Sequence, residues 1–155
     1  MRAGLERIGR ERFYNSNKFE KAKDVILWEV LKIQHEQEFN LRIISTNSKY
    51  KQGIRLAIDA GEGYIEINDI KAKELYLWED TIPEVAHVKC VSDLGLLSIY
   101  NVYYVEGNMG LTGVLSQLDS SGMLLEHNEN VYVYRCNDEG FKDEFNKLVF
   151  EIEIL

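Results

Sequence analysis

From Val25 to Leu155 the chain is a succession of short stretches in which apolar and polar residues alternate, broken at near-regular intervals by turn residues. Alternation with period two marks a strand with one buried face. It is cleanest at the end, where Leu148, Phe150, Ile152 and Ile154 face one way and Glu151 and Glu153 the other. Phe39, Leu41 and Ile43 alternate in the same manner, and the pattern predicts a hairpin over 25–35 and 39–45, turning at Glu36-Gln37-Glu38. A second hairpin is expected over 54–59 and 63–68 around Gly61-Glu62-Gly63, with Ile54, Leu56 and Ile58 on one face and Ile65 and Ile67 on the returning strand. A strand at 74–79 points Leu75 and Leu77 inward and Tyr76 and Trp78 outward. Residues 85–92 should pair with 96–104 around Asp93-Leu94-Gly95. Residues 121–127 should pair with 130–136 around Asn128-Glu129-Asn130.

About ten strands at this spacing predict an all-β fold, an antiparallel β-sandwich with a barrel as the alternative. The body spans 25–155. Residues 1–24 lack strand character and form a short basic N-terminal arm, partly helical if Asn17 and Glu20 act as a capping box. Phe141 and Phe145, four apart, suggest one helical turn before the last strand. The longest gap, 105–120, holds Gly107, Gly110 and Gly113 with Leu111, Val114, Leu115 and Leu118. It is expected as a loop, either a flap over one end of the fold or a functional segment. The terminal strand is placed at a sheet edge, where Glu151 and Glu153 discourage edge-to-edge pairing. The oligomeric state stays open.

Charge narrows the partners. Residues 1–23 hold seven Lys/Arg against three acids, a balance of +4 that leaves −12 on the rest of a chain whose total is −8. Such an acidic body is unsuited to nucleic acid, whose phosphates are bound by clustered Lys and Arg, and suits a basic partner. The arm can dock on its own body or on an acidic partner. There is no secretory signal, no stretch near the ~18 apolar residues of a membrane span, and no glycosylation site. Two cysteines in that context read as reduced thiols of a cytoplasmic protein.

Leu77-Trp78-Glu79-Asp80-Thr81-Ile82-Pro83-Glu84, Ser121-Gly122-Met123-Leu124, Tyr134-Arg135-Cys136-Asn137-Asp138-Glu139-Gly140-Phe141 and Lys147-Leu148-Val149-Phe150-Glu151-Ile152-Glu153 together carry a resemblance. Over roughly 25–155 the chain resembles a family of small uncharacterised bacterial proteins. The resemblance implies a bacterial origin and one compact domain. It implies no mechanism and no site residues, and it leaves out the arm.

His87 and Cys90, three apart on a strand, point to opposite faces and make no metal site. With a turn centred on Glu129, Cys136 lies opposite Gly122 and His127 opposite Val131, and neither pair is a site. Cys90 and Cys136 read as small core hydrophobes, with a disulfide between them open. Nucleophile-elbow and phosphate-loop patterns are absent, and Gly107-x-x-Gly110-x-x-Gly113 has the wrong spacing. Asp59, Asp69, Asp80, Asp93 and Asp138 follow strand ends, where calcium ligands sometimes sit, but turn formation explains them with less assumption. No metal and no cofactor is therefore expected.

Tyr64, Tyr76 and Trp78, beside Glu66 and Asn68, share the non-aliphatic parity of strands expected to be neighbours. If those strands pair, they form an aromatic platform able to stack a sugar or anchor a protein. If the other sheet or the arm covers them, they are ordinary core.

Three functions follow. The first is a non-enzymatic protein-binding module, in its most specific form an immunity-type protein neutralising a basic toxin. The second is a small-ligand or carbohydrate-binding sandwich using the aromatic platform. The third is an enzyme with its site in the 105–120 loop.

Overall fold

The computed structural model describes residues 8–14, 24–108, 111–116, 121–139 and 144–155. Among them are thirteen strands and no helix. In chain order these are β1 (Phe13–Tyr14), β2 (Ile26–Lys32), β3 (Glu36–Thr46), β4 (Lys51–Ala57), β5 (Gly63–Ile67), β6 (Ile70–Ala72) and β7 (Glu74–Trp78), then β8 (Ala86–Ser92), β9 (Leu96–Asn108), β10 (Leu111–Leu115), β11 (Met123–Asn128), β12 (Val131–Cys136) and β13 (Leu148–Ile154). All pair antiparallel, in the order β6-β5-β8-β3-β13-β12-β11-β2-β9-β4-β7, with β1 on β2 and β10 on β9. The two ends of this path, β6 and β7, are separated in sequence by Lys73 alone. The sheet therefore curls almost onto itself, and the architecture is the barrel-like form of the all-β expectation.

The strand parities hold, but several pairings differ from those expected. β2 does not pair with β3, β4 does not pair with β5, and β8 does not pair with β9. The connections between them cross one end of the barrel and satisfy one another. Ile33 N donates to Gly95 O (2.9 Å), Ser92 N to His35 O (2.9 Å) and Asp93 N to Glu62 O (3.0 Å). Asp93 Oδ1 in turn accepts from Glu62 N at 2.8 Å. Buried or half-buried backbone groups need partners, and here neighbouring crossovers supply what hairpin ladders were expected to supply. Gly95 is required at this crossing. Its φ is +67°, and a Cβ there would lie 2.7 Å from Ile33 O.

Two hairpins are tight. In β5–β6 the turn is Asn68-Asp69, both with positive φ (50° and 67°), as a type I′ turn requires. β11 and β12 join through Glu129-Asn130, one residue shorter than the expected loop. The register therefore places Cys136 opposite Met123 and His127 opposite Tyr132, whose rings stack at 3.9 Å.

The expected 105–120 loop is instead the long end of β9 returning as β10, with Val114 opposite Tyr104 and Leu115 opposite Tyr103. β13 is no edge strand: it lies between β12 and β3. Its Glu151 sits opposite Arg42, with Nε–Oε2 at 3.2 Å. The helices suggested near Asn17–Glu20 and at Phe141 fall outside the described residues. In the described part of the arm residues 8–11 turn, with Gly9 at a φ of +74°, and only Phe13–Tyr14 are extended, Phe13 opposite Trp28 and Tyr14 opposite Ile26.

Phe39, Leu41, Ile54, Leu56, Ile65, Val88, Leu97, Ile99, Tyr134, Phe150 and Ile152 fill the interior. Cys90 and Cys136 lie among them, unpaired. Burial pushes the Cys90 thiol up to about 12 and the Cys136 thiol well above its ordinary value. No helix of the described residues is long and apolar enough to cross a membrane.

Candidate binding surface

The outward residues of β2, β9, β4 and β7 make an aromatic face. Cross-strand register sets it: Gly53 lies opposite Trp78 and Arg55 opposite Tyr76, while Arg55 and Lys51 also lie opposite Tyr100 and Tyr104 on β9. Neighbouring and diagonal side chains on one face are close enough to touch, and the rings meet in two groups. Trp28 meets Tyr100 edge-on (5.1 Å), Tyr76 and Trp78 lie nearly parallel (6.3 Å, 11°), and Trp78 meets Tyr104 edge-on (6.4 Å).

Two cations thread the rings. Lys51 Nζ stands 5.0 Å from the Trp78 centroid and 5.4 Å from that of Tyr104. The Arg55 guanidinium lies 4.9 Å from Tyr100 and 5.6 Å from Trp28. Arg55 is held by Asp59 through both terminal nitrogens (2.8 Å each) and by Glu74 (2.7 Å). Burial pushes the Asp59 carboxyl up, but the Arg55 hydrogen bonds and charge outweigh it and hold the group below its ordinary value. Burial likewise lifts the Tyr100 hydroxyl to about 12.

The face is part wall and part surface. Ala57 and Ser98 point outward yet are buried, and Gly9 packs against Asp59 and Ala60 beside them. Farther along, Tyr76 (41% exposed) and Val114 (47%) reach solvent. The outward face of β5, β8, β3, β13 and β12 is of another kind. Its cross-strand neighbours are Glu66 and Lys89, Glu38 and Lys89, Arg42 and Glu151, and Asn40 and Glu153. Such a face is stable in water with no further cover.

This arrangement splits the expected platform. Tyr76 and Trp78 sit together, but β5 pairs with β6 and β8 rather than β7, so Tyr64 joins neither. Tyr64 carries Lys71 over its ring (4.9 Å). Glu66 lies opposite Lys71 and Lys89, and Asn68 belongs to the β5–β6 turn. Glu66 and Asn68 line a shallow depression with Glu38, Asp69, His87 and Lys89. Trp28, Lys51, Gly53, Arg55, Tyr100 and Tyr104 complete the aromatic face in their place. Their parity is visible in sequence, but their convergence depends on the order β2-β9-β4-β7.

A second feature lies at the barrel end where β3, β4, β12 and β13 meet. A cleft of about 520 Å³ is lined by Ser48, Lys49, Tyr50, Asp138, Glu139, Glu144 and Lys147, among others. The Ser48 hydroxyl and Gln52 Nε2 both donate to Asp138 Oδ2, and the Tyr50 hydroxyl donates to Glu139 (2.9 Å). Activating Ser48 would call for an adjacent base, typically histidine. The three histidines are engaged elsewhere: His35 with Ser92 O, His87 with Asn40 and Glu38, His127 with Glu129 O.

The five turn aspartates do not converge. Asp59 holds Arg55, Asp69 forms a turn, Asp80 faces Lys51 (3.6 Å), Asp93 ties two crossovers and Asp138 binds Ser48 and Gln52. No group of three or more His, Cys, Asp or Glu gathers among the described residues. Comparison of the chain with protein-family models, with curated proteins and with solved structures found no match.

Proposed function

We propose that this is a non-enzymatic protein-binding module whose working surface is the exposed part of the aromatic face, around Tyr76, Trp78, Tyr104, Val114 and Lys51. The observation that carries the reading is the contrast between the two halves of the sheet. One half turns mainly paired charges to solvent, with Ile44 and Ile70 as isolated exposed apolar side chains, while the other turns grouped aromatic rings, with Tyr76 and Val114 exposed beside them. Tyr, Trp and cations packed on rings are the residues that dominate protein interfaces, where they bring large area at small entropic cost. In its most specific form the partner is a basic protein of the toxin class, drawn by the charge of −8. A reducing compartment suits the two unpaired thiols.

The near-parallel Tyr76 and Trp78 rings, with Tyr76 exposed, favour a second reading, a sugar or other flat ligand stacked on them. One experiment separates the two. Tagged wild-type and Tyr76→Ala chains are used to capture proteins from the native cell extract at low and high salt. A partner held by wild type and lost by Tyr76→Ala supports the module reading, and release by salt supports its basic form. Retention by both variants moves the interface away from this face. An absence of protein, with tryptophan fluorescence changing on titration with sugars, selects the second reading.

A further inference from the structure

Glu29 is the most enclosed charge described. It lies on β2, its side chain is 0% exposed, and every contact given for it is a donor. Arg12 reaches it from the N-terminal segment with a two-pronged grip, Nε to Oε1 at 2.7 Å and Nη2 to Oε2 at 2.9 Å. The Tyr134 hydroxyl donates to Oε2 (2.7 Å) and Val30 N to Oε1 (3.0 Å). The Arg12 Nη1 is steadied by the Tyr14 hydroxyl (2.8 Å), and its guanidinium lies 5.7 Å from the Tyr14 ring. Planar donors matched to a carboxylate in this manner give arginine its selectivity over lysine.

What holds the arginine is built into the body, whereas the arginine itself arrives on an N-terminal segment whose ladder to the body is short and which is anchored upstream where Gly9 packs against Asp59 and Ala60. β1 is two residues long and meets β2 through two register pairs, with a bulge between them. Nearby, β11 meets β2 only at Met123–Ile26. The socket therefore sits at the thinnest junction of the sheet, lined in advance by Glu29, Tyr134 and the backbone of Val30.

We propose that the Glu29 pocket is a docking socket for an arginine presented on an extended segment, filled in this structure by the chain's own Arg12. The partner it fits is a basic protein offering such a segment, which takes the place of β1 along β2 and seats its guanidinium on Glu29. This site borders the aromatic face at Trp28, which lies opposite Phe13, but it is distinct from the exposed part around Tyr76 and Trp78. A tethered occupant competes at high effective concentration, so an incoming segment is disfavoured until Arg12 is displaced.

The test is a titration of a fluorescent peptide of residues 8–14, Ile-Gly-Arg-Glu-Arg-Phe-Tyr, into the full chain. It should bind Arg12→Ala at least about tenfold more tightly than wild type, where the tether competes. The same peptide with alanine at the position of Arg12 should not bind. Nor should the intact peptide bind the Arg12→Ala/Glu29→Gln double variant, in which both partners of the pair are removed. Should Arg12→Ala fail to fold, Arg12→Lys replaces it, since lysine keeps the charge but loses the fork. Failure of the peptide to bind the folded single variant, or binding that ignores its arginine, overturns the socket and leaves Arg12 a structural bolt.

Discussion

Trp78 lies flat on Gly53: a Cβ at position 53 would come within 2.6 Å of Trp78 Cε3 and 2.9 Å of Cζ3. The absence of a side chain on β4 is therefore what lets the indole rest against the sheet, with Tyr76 stacked beyond it and Lys51 above it.

Gly53→Ala should lift the indole and disturb its contacts with Tyr76 and Tyr104. The expected cost is about 1–3 kcal/mol, the range for inserting a methyl where there is no room. Urea unfolding gives the stability change, and near-ultraviolet circular dichroism should lose the Trp78 signature. Tyr76→Ala, at an exposed site, should change stability by less than about 1 kcal/mol. A small effect of Gly53→Ala with unchanged dichroism would show that Trp78 has room to move.

Arg12→Ala should be among the most damaging changes of a partly exposed side chain, because it strands the buried Glu29 carboxylate. Breaking such a pair from one side costs about 3–5 kcal/mol. The double variant Arg12→Ala/Glu29→Gln should be less destabilised than the sum of its single changes. Additive losses in chemical denaturation would mean that the pair is not coupled.

The Arg55–Asp59 pair predicts an acid-side pH dependence. Asp59 is held below its ordinary value of 3.8 when folded, so the unfolded chain takes up the proton more readily. The stabilisation is full above the unfolded value and is lost as pH falls through the lower folded value. Wild type should therefore lose stability below about pH 4, and Asp59→Asn should flatten that decline. Equal slopes for the two chains below pH 4 would remove Asp59 from the account.

Cys90 and Cys136 should resist thiol reagents. With the Cys90 thiol pushed up to about 12 by burial, and Cys136 also raised, neither supplies thiolate at neutral pH. An aromatic disulfide reagent at pH 8 should titrate no thiol in the folded chain and both in denaturant. Reaction of one thiol without denaturant would reveal local opening of β8 or β12.

What the sequence discloses is parity, and what it withholds is partnership. Leu75 and Leu77 against Tyr76 and Trp78, or Phe150 and Ile152 against Glu151 and Glu153, can be sorted by alternation alone, because side chains on a strand alternate whatever the neighbour. The pairings β2–β9 and β4–β9 go with crossovers held by Ile33, His35, Glu62, Asp93 and Gly95, while β3–β13 joins strands far apart in the chain, and no local turn signal reports either. Tyr76 and Trp78 were therefore legible as a pair, whereas Tyr64 was grouped with them through a pairing that the crossovers replace. Arg12 was visible as one of seven basic residues in the arm, but its partner lies in the barrel wall. Glu29 is a lone charge in the apolar run Val25–Leu31, and nothing local tells which side chain meets its carboxylate.

The position of β13 between β12 and β3 has a temporal side. Strands Glu36–Thr46 and Leu148–Ile154 are neighbours in the sheet although about a hundred residues separate them along the chain. Pairings this distant are slow to form, since the entropy of closing the intervening chain is lost before the contacts repay it. During synthesis β3 can meet β8 early, but its other flank stays unpartnered until nearly all of this sequence has emerged. A ribosome-bound nascent chain halted before Leu148 would carry that flank open, and arrival of the last seven strand residues is the event that joins the two halves of the wall.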